Sequence, residues 1–308
     1  ALNQRGIILA INSKNNFDDA IKVINEHPNM ILRKENFSSM KINWNDKVSN
    51  LREISKELNI GIDSLVFFDD DQINREFVRN QLSDVLVVDL PTDSSIYPKI
   101  LTELNVFESI KITDEDLKRR DMYSQQQERN EFKNEVGDFK EFLKKMNIEI
   151  KIKKADNFSI SRISQLTLKT NQFNLTTKRY KENEIELFSK DENKIVECAE
   201  VKDKFGDNGI TGAYIVEKKE NEWIIDTFLL SCRIIGRGIE DSMLSQIIEK
   251  ARKQNVKTIK GKFIPTQKNK PAENFYENFG FSLEDDFWVF NTDNTINIPE
   301  HIKVIKNE

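Results

Sequence analysis

A glycine-containing loop in the last third of the chain has residue types that suit the binding of a phosphate. It reads Arg233-Ile-Ile-Gly236-Arg-Gly238 and lies between an apolar run and an amphipathic one. Glycines let backbone N–H groups approach an anion, and the dipole at a helix N-terminus favours negative charge. Glycines also serve tight turns, so the spacing alone is a weak signal. It predicts a cofactor-binding loop in which Arg233, Gly236 and Gly238 take part; we call residues 233–238 the phosphate loop.

Cys232 directly precedes the phosphate loop, at the end of the apolar run. A basic neighbour and a helix N-terminus both lower the pKa of a thiol and so favour the nucleophilic thiolate. Such a thiolate accepts an acyl group and passes it to a second thiol. The alternative is a buried structural cysteine, the commoner fate of a cysteine in a strand. Cys198 lies inside an alternating pattern and is predicted to belong to the core.

An aromatic motif follows the phosphate loop at a short distance. The segment from Asn269 to Phe281 ends in Phe-Tyr-x-x-x-Gly-Phe. This ending and the phosphate loop together resemble GNAT acyltransferases. The resemblance implies that Tyr276 is the general acid for a leaving thiolate and that Asn269 belongs to the cofactor site. The alternative is a core aromatic, which we favour for Phe275 and Phe279 and leave open for Tyr276.

Polar side chains in the second half provide further candidates. Asp207 and Asp226 are possible catalytic carboxylates, and the substrate-binding candidates in loops are Asn171, Gln172, Asn174 and Arg179. Such groups bind the hydroxyl and phosphate oxygens of a small substrate. The alternatives are turn chemistry for Asp207 and helix capping for Asn174. Asp226 falls in a mostly apolar strand, where it is either a site residue or an exposed strand position; we favour the site.

The first third of the chain contains a second set of candidate site residues, Lys47, Asp69 and Asp70, which its strands and helices must position. Strands are predicted at Gly6 to Ile11, Leu65 to Phe68 and Val85 to Val88, and helices at Phe17 to Glu26, Lys47 to Leu58 and Gln72 to Leu82. This βαβ order predicts a doubly wound parallel sheet. Asp69 and Asp70 end a strand, where carboxylates suit a partly hydrated Mg²⁺. The alternatives are a loop N-cap for these two and a surface position for Lys47.

The second half predicts a mixed α/β domain. Strands are expected at Ile148 to Lys153, Lys194 to Lys202, Thr211 to Lys218, Trp223 to Leu230, Thr258 to Ile264 and Phe287 to Asn291. Helices are expected at Ser159 to Thr170, Ile239 to Gln254 and Pro271 to Phe279. The charged stretch 113–146 predicts an exposed helical connector. The domain boundaries are thus 1–112, 113–146, 147–296 and a tail at 297–308.

Composition narrows the class of protein. The chain has 308 residues, which suggests two domains, and its net charge of -5 argues against nucleic-acid binding by bulk charge. Two cysteines make no disulfide framework, so a reducing compartment is expected. No apolar run approaches the length of a membrane span. These features predict a cytoplasmic protein with neither nucleic acid nor membrane as partner.

Eight short segments, in order along nearly the whole chain, resemble the FkbH-like family. They include Ser13-Lys-Asn-Asn16, Asn43-Trp-Asn-Asp-Lys47, Phe67-Phe-Asp-Asp70, Thr170-Asn-Gln-Phe-Asn-Leu-Thr-Thr177 and Asp226-Thr-Phe-Leu-Leu-Ser-Cys-Arg233. The resemblance implies an HAD-like domain followed by a GNAT-like domain. It also implies transfer of a glyceryl unit from 1,3-bisphosphoglycerate to the phosphopantetheine thiol of an acyl carrier protein, as in polyketide biosynthesis, with loss of the remaining phosphate. Within the HAD-like half it implies that Ser13, Lys14 and Lys47 bind phosphate and that Asp69 and Asp70 hold Mg²⁺.

One element of the HAD-like pattern has no counterpart here. The family's Asp-x-Asp-x-Thr strand belongs before Gly6, and residues 1–5 contain no acidic side chain. The chain as given is therefore expected to be inactive as a phosphatase. Two other functions stay open: an acetyl-CoA-dependent N-acetyltransferase, which needs no Cys232, and a non-catalytic module that docks a carrier protein.

Overall fold

A computed structural model describes residue 2 and residues 5–107, 119–296 and 298–305. The chain divides into two compact units, Ala1–Gln127 and Glu128–Glu308. The predicted fold class, α/β with a parallel first unit and a mixed second unit, is confirmed. The division falls inside a helix, Arg119–Val136, and within the stretch 113–146 that was predicted to connect the two domains.

The first unit contains two short parallel ladders instead of one continuous sheet. Strand β1 (Leu9–Ser13) pairs with β2 (Phe37–Ile42), and β3 (Val66–Phe67) pairs with β4 (Leu86–Val87). The helices are α1 (Phe17–Glu26), α2 (Lys47–Glu57), α3 (Gln72–Gln81) and α4 (Tyr97–Glu103). Between β1 and β3 lies an apolar cleft of about 850 Å³, lined by residues of both strands.

Helices α2 and α3 begin where a side chain satisfies their first N–H groups. The Asp46 carboxylate accepts a hydrogen bond from the Ser49 N–H at 2.8 Å, and the Asp71 carboxylate accepts one from the Ile73 N–H at 2.8 Å. Helix α2 turns Val48, Leu51 and Ile54 into the core. These caps fix the first turn of each helix beside the strand that precedes it.

Among the described residues, the second unit has one eight-stranded sheet in the order β10-β11-β9-β8-β7-β6-β5-β12. Its strands are β5 (Ile148–Lys154), β6 (Lys194–Asp203), β7 (Gly206–Lys218), β8 (Glu222–Leu230), β9 (Thr258–Gly261), β10 (Ser282–Glu284), β11 (Phe287–Asn291) and β12 (Ile302–Ile305). The pairs β8–β9 and β5–β12 are parallel, and the others are antiparallel. Strand β12 lies in the segment predicted to be a tail, so that expectation is wrong.

The helices of the second unit include part of the predicted connector. They are α5 (Arg119–Val136), which spans the division, α6 (Phe139–Lys145), α7 (Ile160–Lys169), α8 (Glu182–Lys190), α9 (Ile239–Lys253) and α10 (Phe275–Asn278). The expectation of a connector exposed throughout is wrong, because Phe142, Leu143 and Met146 are buried in the main core of this unit. No helix in the described parts of the chain has both the length and the apolar character needed to cross a membrane.

Candidate functional site

The phosphate loop joins β8 to α9 through a short 3-10 turn, Cys232–Ile234. Gly236 and Gly238 have φ angles of +76° and +82°, a left-handed conformation that favours glycine. Gly238 is the N-cap of α9, so the first N–H groups of that helix open onto the loop. A Cβ at Gly236 would meet nothing within 4 Å, whereas one at Gly238 would approach Pro299 to 3.1 Å. The loop thus has the backbone of an anion-binding turn.

A buried ion-pair network holds the phosphate loop from within the second unit. The Arg237 guanidinium donates to the Arg233 carbonyl at 2.7 Å and lies 3.3 Å from the Asp203 carboxylate. Arg129 of α5 binds the same carboxylate through two N–H groups, at 2.7 and 2.8 Å. Burial, with Arg129 nearby, lowers the pKa of Arg237 to about 10. The network ties the loop to α5, and the sequence did not single out Arg129, Asp203 or Arg237.

Glu240 is a further site residue that the sequence did not indicate. It follows Gly238 by two positions, in the first turn of α9. Its Oε2 atom is buried and has no hydrogen-bond partner among the described residues. Burial raises the pKa of Glu240 to about 7, although the N–H groups of Glu240, Gly236 and Gly238 act in the opposite direction. The only signal in the sequence is an acidic residue two positions after the second glycine.

A cleft of about 650 Å³ lies at the first turn of α9, which follows the phosphate loop in sequence. Glu240 and Asp241 line one side of it, and Lys270, Asn274 and Phe275 line another. The cleft is large enough for a slender organic arm.

Strands β8 and β9 separate after the pair Ile225 and Gly261, and a segment of the chain fills the gap. We call residues 173–176 the insert segment. The Leu175 N–H donates to the Phe228 carbonyl at 3.1 Å, and the Leu230 N–H donates to the Phe173 carbonyl at 2.9 Å. On the other side, the Ile264 N–H donates to the Leu175 carbonyl at 2.8 Å. The second half of β8 is therefore hydrogen-bonded on both edges.

Asn174 and Asn269, both predicted to bind ligands, are fully buried and hold the insert segment in place. The Asn269 amide donates to the Asn174 and Ile264 carbonyls at 3.1 and 2.9 Å, and its oxygen accepts from the Thr266 N–H at 2.7 Å. The Asn174 oxygen accepts from the Thr177 N–H at 2.9 Å. Both side chains bind the protein's own backbone.

Asp226 lies at the start of the same gap and is nearly buried. Its carboxylate pairs with Lys178 and accepts hydrogen bonds from the Tyr180 hydroxyl at 2.8 Å and the Thr227 hydroxyl at 2.9 Å. Burial, together with the Asp226 charge, raises the pKa of Tyr180 well above its ordinary value. The structure thus supplies Asp226 with three polar partners, which account for a carboxylate in this apolar strand.

Tyr276 is fully buried in α10, and its hydroxyl has no partner among the described residues. A Cβ at Gly261 would overlap this hydroxyl, so the glycine leaves the space that the phenol occupies. Burial raises the pKa of Tyr276 far above its ordinary value, which keeps the phenol protonated. A protonated phenol suits the predicted proton donor, and its ring also packs against Phe281 and Trp288.

The two cysteines lie in different environments, and neither forms a disulfide. Cys232 is partly buried in the turn between β8 and the phosphate loop, four positions before Gly236. Cys198 is fully buried in β6, where burial raises the pKa of its thiol to about 12. The core position predicted for Cys198 is confirmed, and the acyl-carrying role of Cys232 stays a prediction.

The remaining polar candidates of the second unit are on its surface. Asp207 is exposed and accepts a hydrogen bond from the Gly209 N–H at 2.8 Å, which is turn chemistry. Arg179 donates to the Thr170 carbonyl at 2.8 Å and to the Asn171 side chain at 2.6 Å. Gln172 is partly exposed beside Asn171. Arg179 and Asn171 therefore contact each other.

In the first unit, Lys47 and Asp69 form a buried ion pair at 3.0 Å. The Lys47 ammonium also donates to the Asn12 carbonyl at 2.7 Å, next to Ser13 at the end of β1. Lys14 is exposed. The structure thus places Lys47, Asp69 and the end of β1 at one point, and their binding of phosphate and Mg²⁺ stays a prediction.

Asp69 and Asp70 offer two carboxylates to a metal ion, and Asp69 already has other partners. Asp69 also accepts a hydrogen bond from the Asp71 N–H at 2.9 Å, and Asp70 is exposed. Within the part of the chain that is described, no three His, Cys, Asp or Glu side chains come together as a metal cluster. Mg²⁺ commonly binds one or two carboxylates and completes its shell with water and substrate phosphate. The two carboxylates fit an ion bound in that way.

No protein-family model matches this chain, and no curated protein matches it. A solved structure similar to the chain is the N-terminal part of a Bacteroides fragilis protein, which contains a phosphatase domain and is complexed with Mg. The two sequences are 40% identical over 36% of this chain and 29% of that chain, and the TM-score is 0.35. A GNAT-family acetyltransferase of Staphylococcus aureus is 18% identical, with 46% of this chain and 99% of its own covered and a TM-score of 0.37. A GNAT-family acetyltransferase of Elizabethkingia anophelis with acetyl-CoA bound is 17% identical, with 44% and 78% covered and a TM-score of 0.33. The chain thus spans less than a third of the phosphatase-containing protein.

Proposed function

We propose that the second unit is an acyltransferase that loads a glyceryl or related three-carbon acyl unit onto the phosphopantetheine thiol of an acyl carrier protein. The observation that supports this function is the turn from Cys232 to Gly238, which combines a thiol with an anion-binding backbone at a helix N-terminus. The cleft beside the turn accepts the pantetheine arm, and the phosphate loop binds its phosphate.

The proposed reaction has two steps that balance. The Cys232 thiolate attacks the carbonyl carbon of an acyl phosphate such as 1,3-bisphosphoglycerate; a C–S bond forms, the C–O bond breaks and phosphate leaves. The carrier thiolate then attacks the enzyme thioester, and the Cys232 sulfur leaves and takes a proton. Tyr276 is the proposed proton donor, and Asn171, Gln172 and Arg179 are proposed to bind the hydroxyl and phosphate groups of the donor.

In this proposal a complete HAD-like half, with the aspartate nucleophile that residues 1–5 lack, removes the phosphate that remains on the acyl unit. Ser13, Lys14 and Lys47 would bind that phosphate at the end of β1, and Asp69 and Asp70 would hold Mg²⁺. The ion would neutralise charge on the phosphoryl oxygens. The buried pair of Lys47 with Asp69 supports a shared anion site at this point.

Cys232→Ser is the test of the acyltransferase proposal. Serine is nearly the same size, but an ester on its hydroxyl would release its acyl group slowly, so we expect carrier loading to stop. Loading is measured by intact mass spectrometry of a phosphopantetheinylated carrier mixed with 1,3-bisphosphoglycerate. In the parent protein, a hydroxylamine-labile mass addition should map to Cys232.

Cys198→Ser is the matched control, and it should load the carrier normally. If Cys232→Ser loads at the parent rate, Cys232 is a packing residue and transfer is direct. If the parent protein instead acetylates amines from acetyl-CoA and does not load the carrier, the N-acetyltransferase function replaces the proposed one.

A further inference from the structure

We propose that the Glu240 carboxylate occupies the phosphate seat of the loop when no ligand is bound, so that a phosphate binds only when this carboxylate is protonated or moves away. The inference deepens the proposed function and rests on its assignment of the phosphate loop. It makes Glu240 a group that controls ligand binding through pH.

Glu240 lies at the N-terminus of α9, directly beside the phosphate loop. Helix α9 has 15 residues, and its N-cap is Gly238. Glu240 lines the cleft from the first turn of α9, beside the backbone N–H groups that open the helix. These are the donors that a phosphate would use in such a turn. The carboxylate, which is negative and only accepts hydrogen bonds, lies beside the same donors.

The second step is that the carboxyl group is not fully satisfied there. Its Oε2 atom is buried and has no hydrogen-bond partner among the described residues. A buried acceptor without a partner costs free energy, and a buried carboxylate costs more. A phosphate has more acceptor oxygens and also reaches the adjoining cleft, so it can use donors that one carboxylate cannot. The seat is therefore held by a weak internal ligand.

The charged and titratable groups near Glu240 are Asp241, Arg237, Lys270 and His301. Asp241 on the same helix is a like charge that raises the pKa of Glu240, and the charge of Glu240 in turn raises the pKa of Arg237. Lys270 lines the same cleft, and the His301 ring contacts the Arg237 carbonyl at 2.8 Å. Both acidic and basic side chains therefore lie near the Glu240 carboxyl group.

The sign of the pH effect follows from the direction of the shift. Burial raises the pKa of Glu240 to about 7 from its ordinary 4.5, so the group is neutral below that pH and negative above it. If the neutral form alone admits phosphate, affinity should fall about tenfold from pH 6 to pH 8 by simple linkage. Because the folded pKa is raised, the ligand-free protein should also lose stability as pH rises over the same window.

Dephospho-coenzyme A is the probe for binding, because its pyrophosphate does not titrate between pH 6 and pH 8. Calorimetry should give a dissociation constant about tenfold larger at pH 8 than at pH 6 for the parent. Glu240→Gln should bind equally at both pH values and more tightly than the parent at pH 8. Pantetheine, which has no phosphate, should show no such pH dependence.

Glu277→Gln is the matched control, because it removes an exposed carboxylate from α10 near the same cleft. It should keep the pH dependence of the parent. The thermal midpoint of the ligand-free parent should fall between pH 6 and pH 8, and that of Glu240→Gln should fall less.

Three outcomes are decisive. Equal pH dependence of binding in the parent and Glu240→Gln overturns this inference but leaves the phosphate loop intact. Failure of both proteins to bind dephospho-coenzyme A at either pH overturns the inference and the proposed phosphate site together. Loss of pH dependence in Glu240→Gln, with Glu277→Gln like the parent, supports both.

Discussion

The Tyr276 hydroxyl is buried beside the backbone of Gly261 without a hydrogen-bond partner among the described residues. A buried polar atom of this kind lowers stability and calls for a functional or structural reason. In the proposed function the reason is proton donation to a leaving thiolate. Burial raises the pKa of the phenol and so keeps the proton available. The same residue therefore links a cost in stability to the proposed gain in rate.

Tyr276→Phe should separate these two effects. Removal of the unsatisfied hydroxyl should raise the free energy of unfolding of the second unit by about 1 kcal/mol. Loss of the proton donor should slow carrier loading by about 100-fold. Urea denaturation and single-turnover loading measure the two quantities. A variant that is stabilised and still loads at the parent rate would assign the hydroxyl to packing alone.

At the scale of elements, the insert segment closes the gap that opens between β8 and β9. It pairs with the second half of β8 on one side and with Ile264 on the other. The Asn269 side chain makes one hydrogen bond to the insert segment and two to the loop after β9 in which it lies. Backbone pairing and one buried amide therefore both bridge the gap.

Asn269→Ala should loosen this gap. It removes three hydrogen bonds and leaves buried carbonyl groups unsatisfied, so the second unit should lose about 3 kcal/mol of stability. Hydrogen exchange should accelerate at the amides of Leu175 and Ile264. Asn274→Ala, an exposed change on the same side of the cleft, is the control and should change neither quantity. Unaltered exchange in Asn269→Ala would show that the backbone pairing holds the segment by itself.

Elements with a strong apolar period were predictable, and polar or very short ones were not. Helix α1 and strand β11 agree with their predicted bounds at both ends. Strand β2 was missed, because Ser38, Ser39 and Lys41 interrupt its apolar character. Strand β12 was missed because four residues carry little pattern of their own, and α8 fell within a charged stretch.

At the scale of the whole molecule, sequence reasoning found residues near one another along the chain more readily than residues joined by folding. The phosphate loop was visible because its glycines lie two positions apart. The network of Arg129, Asp203 and Arg237 was not, because its members are far apart and each is an ordinary charged residue in sequence. The protonation of Glu240 depends on burial, which no local pattern gives.

Two fragments test where the second unit begins. A fragment of residues 128–308 retains Arg129 and α6, whereas one of residues 147–308 loses them. The shorter fragment leaves Asp203 without Arg129 and removes Phe142, Leu143 and Met146 from the core. Loss of the ion pair, and of each buried apolar side chain, costs about 2–5 kcal/mol. The sum of these costs exceeds the free energy of unfolding of a typical domain. Circular dichroism should show the longer fragment folded and the shorter one unfolded; a cooperative transition of equal midpoint in both would contradict this.

The parallel pairing of β5 with β12 has a consequence for the order of synthesis. Strand β5 leaves the ribosome before the other strands of its sheet, and β12 leaves after all of them. Until then one edge of β5 has no partner, and an open edge invites pairing with other chains. Charged side chains alternate along that strand, at Glu149, Lys151 and Lys153. In nascent chains, the charged side chains of β5 thus oppose aggregation at its open edge until β12 pairs with that edge.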